Sequence, residues 1–358
     1  MWFFTVLTQL LALMTCILLW WFIKPKRQSV RMILVLSIFI INNLVLVYGM
    51  SEFWRERFHV YMVVSILQGF MVYAAIVVAA VAILSYWLFK YKLHPKLIRV
   101  FALTTYVSIV SLAVFNAYSP VVHRLTVTTD KPLNKPMTIA LASDTHLGRW
   151  FGNRQLNKLA SLIELQNPDV VVLAGDIMND TTYYYDKNNM HEQLSKLHAP
   201  LGAYAVLGNH DYSGNQVKIA NAVAEAGINV IDNKSVLLDD SVWLVGRSDE
   251  TDPIRPTAAE LLTQVDTSKP VIFLEHSPAA MNEISALPVD LHLSGHTHGG
   301  QIFPMTILIH WLQPLVYGAK QLGGTEFLVT SGYGFGAVPF RLGTRSEIWM
   351  ITLQAAKS

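Results

Sequence analysis

Four apolar runs fill the first third of the chain and limit what it can fold into more than any other feature. Residues 2–23 carry no charge. As a helix rising about 1.5 Å per residue they would span roughly 33 Å, enough to cross the hydrocarbon core of a bilayer. Similar runs follow at residues 32–50, 62–89 and 100–118, with Gln68 the one strongly polar residue of the third and Asn116 near the end of the fourth. One such run is compatible with a buried helix of a soluble core. Four in succession with almost no charge read as four membrane spans. The first is expected to stay as a span, because it lacks the basic start of a cleaved leader and runs into a basic block.

The connections orient these spans. The first holds Lys24, Lys26, Arg27 and Arg31 without an acid. The third holds Lys90, Lys92, Lys96 and Arg99, also without an acid, whereas the second mixes Glu52, Arg55, Glu56 and Arg57. Loops rich in Lys and Arg stay in the cytoplasm. The N-terminus and everything after Tyr118 are then expected outside, in a multi-pass protein of the cytoplasmic (inner) membrane with the lipid bilayer as its standing partner. The spans also explain a composition of 52% apolar and 15% charged residues, against about 45–50% and about 25% in ordinary domains. A formal net charge of +2 without a long basic run gives no reason to expect nucleic acid. Cys16 is the only cysteine, so no disulfide framework or thiolate zinc site can form within the chain.

After the transmembrane region of residues 1–118, residues 119–136 read as a linker or extended lead-in strand with a turn at Lys131-Pro132, and residues 137–358 as a domain. Strand-like stretches are expected at 137–142, 170–174, 204–207, 228–231, 236–238, 242–245, 271–274, 289–293, 327–330 and 347–353. Helical spacing occupies 154–165, 191–197, 216–226 and 257–265. Gly227 is a natural C-terminal cap for the third of these helices, and Asp239-Asp240 marks a hairpin. Buried apolar strands alternating with helices argue an α/β domain with helices outside.

Five polar clusters share one position in that pattern. Asp144-Thr145-His146, Gly175-Asp176, Gly208-Asn209-His210-Asp211, Glu275-His276 and Gly295-His296-Thr297-His298 each follow a strand. Ligands bind beyond the carboxyl ends of strands in α/β sheets, so the clusters are expected to converge. Any one of them alone is as well explained by a turn, a helix cap or a satisfied structural histidine. Asp supplies hard anionic oxygen, His borderline nitrogen and Asn a neutral oxygen. Such mixed sets without thiolate suit zinc, manganese or iron. Two such ions about 3.5–4 Å apart clamp a phosphate and activate water.

These residues resemble the calcineurin-like metallophosphoesterase family, and within it the membrane-anchored bacterial branch. The resemblance covers roughly residues 137–353 and rests on Asp144-x-His146, Gly175-Asp176, Gly208-Asn209-His210-Asp211, His276 and Gly295-His296-x-His298. It implies a four-layer fold of two mixed β-sheets sandwiched by helices, and a binuclear centre of two divalent ions. Asp144, His146 and His298 would hold the first metal, and Asn209, His276 and His296 the second. Asp176 would bridge them, with a metal-bridging hydroxide as nucleophile. His210 would protonate the leaving oxygen or stabilise phosphoryl charge. Many relatives carry an Asp three residues after the bridging Asp; here that place is Asn179 and Asp180 follows it, which leaves open the group that orients His210. The missing Arg-Gly after Gly175-Asp176 argues against the serine/threonine protein-phosphatase branch. Arg341, in a Pro-x-Arg like one recurring in this branch, is a candidate phosphate contact or a structural ion-pair partner.

Three further stretches bear on function. Residues 302–317 are apolar but too short and Pro-broken to span a bilayer. They fit either a buried core helix or an interfacial segment suited to a phospholipid or lipid-linked pyrophosphate. Trp150 and Phe151 would form an apolar rim or ordinary packing. Tyr183–Tyr185 are expected in a loop. The leading function is a metal-dependent phosphoester hydrolase at the outer face of the membrane. The alternative is a membrane sensor or transporter whose outer domain binds ligand and is catalytically weak. Few ionisable groups lie inside the spans, which favours an anchor, while the polar but uncharged Asn42, Asn43 and Gln68 leave room for the alternative.

Overall fold

The computed structural model describes residues 2–50, 61–90, 94–213, 215–311, 313–336 and 338–356. It divides into two compact units, Met1–Val114 with Ala337–Pro339, and Phe115–Gly336 with Phe340–Ser358.

A helix forms at each apolar run of the first third: α1 (Trp2–Ile23), α2 (Gln28–Met50), α3 (Tyr61–Phe89) and α4 (Pro95–Tyr118). Among the described residues two stretches, Ser65–Leu88 and Lys96–Tyr118, are long and apolar enough to cross a membrane; Thr8–Ile23 and Gln28–Leu44 are shorter apolar stretches. The acidic and basic residues of the second connection, and Lys92 of the third, lie outside the described residues. Large apolar side chains face outward on these helices, including Ile33, Trp87 and Leu103. Polar ones turn inward. Asn42 is buried and accepts from Gln68 Nε2 (2.8 Å), and Gln9 Nε2 donates to Asn43 Oδ1 (2.9 Å). These bonds tie α1, α2 and α3 together, as expected where apolar surface gains nothing by association.

The second unit holds two six-stranded sheets. Its strands are β1 (Val121–Thr129), β2 (Met137–Ala142), β3 (Val170–Ala174), β4 (Ala203–Val206), β5 (Asn229–Val230), β6 (Lys234–Leu238), β7 (Val242–Gly246), β8 (Val271–Leu274), β9 (Leu291–Ser294), β10 (Gly318–Leu322), β11 (Thr325–Val329) and β12 (Glu347–Ala355). One sheet has the order β1-β12-β2-β3-β4-β5, the other β10-β11-β9-β8-β7-β6. Both are mixed. β2 to β5 run parallel beside an antiparallel β12, and β7, β8, β9 and β11 run parallel between antiparallel edges.

The two inner faces meet in one core. Alternate residues supply it: Val170, Val172 and Ala174 from β3, Ile272 and Leu274 from β8, Leu291 and Leu293 from β9. The outer faces are covered by helices. The helix Asn153–Gln166 buries Leu156, Leu159, Ala160 and Ile163. Ala258, Leu261, Met281 and Ile284 pack with Phe273 and Val245 on the other side. The layers are helix, sheet, sheet, helix.

Four differences from the sequence reading have plain causes. Residues 121–129 form the lead-in strand expected there, but as β1 they pair in parallel along all of β12, so they belong to the first sheet and close its edge rather than precede the domain. β10 was not foreseen: Gly318–Leu322 is largely polar and hairpins onto β11 at an edge, where alternation is not required. Tyr183–Lys187 is a short helix rather than a loop, and it buries Tyr185. Residues 302–317 are not a buried core helix. Met305–Leu308 and Ile309–Trp311 are single turns that bury no residue, and Phe303, Met305, Ile307, Leu308 and Tyr317 are exposed, with Trp311 at 80%. Phe151, by contrast, is buried against Tyr333 and Phe335, while Trp150 stays exposed.

Candidate metal centre

The five clusters do end strands, but of two sheets rather than one. β2, β3 and β4 deliver Asp144, His146, Asp176, Asn209 and His210. β8 and β9 deliver His276, His296 and His298. Because the central strands of both sheets end at the same edge of the core, the polar side chains meet there.

Three groups of side chains have ligand atoms within 4.8 Å of one another: Asp144 with His146 and His298, Asp176 with His276 and His296, and Asp176 with His146 and His210. Asn209 joins the second, its Oδ1 lying 2.9 Å from His296 Nδ1 and 3.2 Å from His276 Nε2. Asp176 stands between the groups. Its Oδ2 is 3.2 Å from His276 Nε2 and 3.6 Å from His146 Nε2, while its Oδ1 accepts from the His210 backbone N–H (2.8 Å).

The backbone here is held in an uncommon shape. Asp144, His146, Asp176, His296 and His298 all have positive φ, between 42° and 69°. Left-handed non-glycine residues cost energy and persist where the surroundings over-determine them. Two glycines allow the close approach. A Cβ on Gly208 would lie 2.3 Å from Asp176 Oδ1, and one on Gly295 would lie 2.1 Å from Ser143 Oγ.

Several observations show that the site fits a divalent cation. Asp144 Oδ2 is engaged by Ser143 Oγ (2.7 Å) and the His296 N–H (3.1 Å), but its Oδ1 is buried with no hydrogen-bond partner. His276 Nδ1 must donate to the Ala174 carbonyl (2.7 Å), which leaves the Nε2 lone pair aimed at the centre. Two nitrogen pairs approach closely, His146 Nε2 to His298 Nε2 at 3.1 Å and His276 Nε2 to His296 Nδ1 at 3.2 Å. Ring nitrogens this close need a proton or a metal ion between them, and together with the carboxylates they make the mixed nitrogen–oxygen donor set that suits a divalent cation.

Burial holds the His146 imidazole down at about 3 and keeps His298 well below the usual histidine range, so both are neutral donors. His276 behaves oppositely. Burial pushes it down, but the Asp176 carboxylate outweighs this and lifts it to about 10. A metal ion competes for the same site as that proton, since ligand histidines bind metal in the deprotonated form.

His210 is tied down on two sides. Its Nδ1 donates to Asp180 Oδ1 (2.7 Å) and its backbone N–H to Asp176. Burial lowers its pKa, but the Asp180 hydrogen bond and the Asp176 charge dominate and raise it to about 9. The group that orients His210, open from sequence, is therefore Asp180. Asp211 does something else. It is fully buried and accepts from the backbone N–H groups of Ile177, Met178 and Gly208 (3.0, 2.8 and 3.0 Å), locking the two ligand loops together. Glu275 is likewise no donor to the centre; its carboxylate is held by His292 Nε2 (2.9 Å) and Arg255 Nη2 (2.7 Å).

Arg341 is fully buried, and of its two expected roles its contacts fit the structural one, through carbonyls rather than an ion pair. Its Nη2 donates to the carbonyls of Ser331 (2.6 Å) and Gly334 (2.7 Å), its Nη1 lies near Thr344 Oγ1 (3.3 Å), and Nη2 is also 3.3 Å from His298 Nδ1. It pins the turn after β11 behind His298. The carbonyls of that turn have left the ladder and need donors.

Known proteins are similar to this chain in sequence. Residues 137–300 match the calcineurin-like phosphoesterase family. A protein of Campylobacter jejuni named an uncharacterized metallophosphoesterase is 31% identical over 263 residues, 70% of this chain and 70% of that one. One of the same description from Aquifex aeolicus is 31% identical over 245 residues, 65% of this chain and 91% of its own length. A Bos taurus protein named as a transmembrane protein with metallophosphoesterase domain is 32% identical over 294 residues, 75% of this chain. The match spans 64% of the bovine protein's length.

Proposed function

Because this chain belongs to the calcineurin-like phosphoesterase family and is a hydrolase of phosphoric esters, we propose that it works through two divalent ions, manganese, zinc or iron, at the outer face of the inner membrane. Asp144, His146 and His298 would hold one ion. Asn209, His276 and His296 would hold the other, and Asp176 would bridge. The observation that carries this reading is the position of Asp176 Oδ2, facing His276 on one side and His146 on the other.

When bound, such ions act as Lewis acids on the phosphoryl oxygens and make water nucleophilic at neutral pH. The protein supplies the rest. Left-handed backbone at five of the donor residues fixes where their side chains point. Asp180 and the Asp176 contact fix the His210 ring. With Nδ1 engaged, His210 Nε2–H is the proton available to the departing oxygen, a general-acid role typically worth about 10²–10⁴-fold.

The membrane placement is supported by the two membrane-length helices and by the transmembrane relative. Four spans with the domain outside follow from the basic first and third connections. A reporter active only in the cytoplasm, fused after Tyr118, should be silent; activity there would refute the orientation. The substrate is a membrane-borne phosphoester, a phospholipid or lipid-linked pyrophosphate. Support for this comes from the uncharged run that leaves the His298 loop, in which Ile307, Leu308 and Trp311 are exposed. Serine at Ile307 and Leu308 should lower turnover on vesicles and spare a soluble phosphodiester. The centre itself is tested by Asp176→Ala and His296→Ala, each expected to lower metal-dependent hydrolysis of a soluble phosphodiester by roughly 10³-fold or more. Undiminished turnover in either would sink the two-ion assignment.

A further inference from the structure

The turn between α1 and α2 borders an open concavity of about 330 Å³ lined by Trp20, Trp21, Lys24, Pro25, Lys26 and Arg31. Its construction is specific. α1 ends as Lys24 takes a left-handed φ of 48°, with the Lys24 N–H still on the Trp20 carbonyl (2.9 Å). Pro25 is buried beneath the turn. Arg31, one helical turn into α2, reaches back so that Nε donates to the Pro25 carbonyl (2.9 Å), and its guanidinium lies 5.6 Å from the Trp20 ring centroid.

Three cations thus face one concavity, and the first 51 residues contain no Asp or Glu to balance them. An orientation signal needs only charge in a loop. It does not need a cavity, an anchored guanidinium, or two indole rings. Trp20 and Trp21 are both exposed at the end of a 22-residue apolar helix, the depth at which tryptophan meets lipid headgroups. The anion available at that depth is a phosphodiester carried on acyl chains, and basic pockets beside spanning helices suit such headgroups.

We propose that this pocket binds the anionic headgroup of a phospholipid. Lys24, Lys26 and the free Nη groups of Arg31 would meet the phosphate, the Trp20 and Trp21 rings would flank the glycerol, and the acyl chains would run along the exposed Leu13 and Ile17 side of α1. The site is separate from the hydrolytic centre and does not depend on it.

The test is native mass spectrometry of the full chain released from nanodiscs of equal phosphatidylglycerol and phosphatidylcholine, counting retained lipids. The wild type should be enriched in phosphatidylglycerol. Lys26→Gln with Arg31→Gln should lower that enrichment roughly 30-fold, from the usual contribution of a basic residue near an anionic surface. Trp20→Leu keeps every charge and so keeps the orientation signal; it should still lose enrichment about threefold, because the guanidinium loses its ring. Both variants should hydrolyse a soluble phosphodiester like the wild type. Equal retention of the two lipids by the wild type, or enrichment unchanged in Trp20→Leu, would overturn the proposal. Displacement of the lipid by millimolar inorganic phosphate would also overturn it, by reassigning the pocket to a free anion.

Discussion

Leu103 in α4 is 63% exposed, while Leu293 in β9 is fully buried, although both sit in regular and mostly apolar elements. The polar pairs of the two regions look alike: Gln68 Nε2 lies 2.8 Å from Asn42 Oδ1, and His210 Nδ1 lies 2.7 Å from Asp180 Oδ1. The solvent makes the difference. In a bilayer, apolar surface gains nothing by being covered, so helices turn their few amides inward to join one another. In water, apolar surface is driven into the space between the sheets. Polar groups are then displaced to the strand ends, where eight of them were placed to meet.

That contrast can be broken by experiment. Leu293→Ala should destabilise the full chain by about 2–5 kcal/mol, the usual cost of emptying a core position, whereas Leu103→Ala should cost nearly nothing in lipid. Comparable losses in chemical denaturation would show that α4 faces a packed core. The water-facing unit should also titrate. Burial raises the Asp232 carboxyl to about 6, although it accepts from the Leu207 N–H and Tyr212 hydroxyl. A raised carboxyl binds its proton more tightly in the fold than in the unfolded chain. The contribution of Asp232 to stability is therefore full below about pH 4 and declines by about 2–3 kcal/mol as pH rises through 6. Asp232→Asn should flatten that decline, and an unchanged profile would locate it in other groups.

The polar pairs sharpen the comparison further. Asp180→Ala should lower kcat roughly tenfold to hundredfold with little change in KM, and Asp180→Asn, which keeps an acceptor for His210 Nδ1, should recover part of it. Equal loss in both would mean that charge, not orientation, is what Asp180 supplies. The smallest effect belongs to the membrane pair. Asn43→Leu should cost about 0.6 kcal/mol of helix association, measurable in lipid but without consequence for hydrolysis of a soluble ester.

Much of this could be read along the chain. Apolar runs without charge place all four helices, and short apolar runs place β2, β3 and β8 to the residue. The recurrence of Asp, Asn and His after strands places Asp144, His146, Asp176, Asn209, His210, His276, His296 and His298 at one end of the fold. Both signals are local. A run or a period is set by neighbours a few residues apart, and a strand's end is set by where its apolar run stops.

Tertiary structure alone decided the rest. Asp180 reaches His210 only because β3 and β4 lie side by side, across 30 residues of chain. Ala174 fixes the His276 tautomer across 102 residues, because the two sheets stack at that edge. Arg341 is held by carbonyls whose position depends on where β11 ends. The exposure of Met305, Ile307, Leu308 and Trp311 could not be inferred from composition, since an apolar segment reads the same whether it faces a core or a membrane. Which partner a side chain meets is a property of how distant strands come together, and no pattern within one strand encodes it.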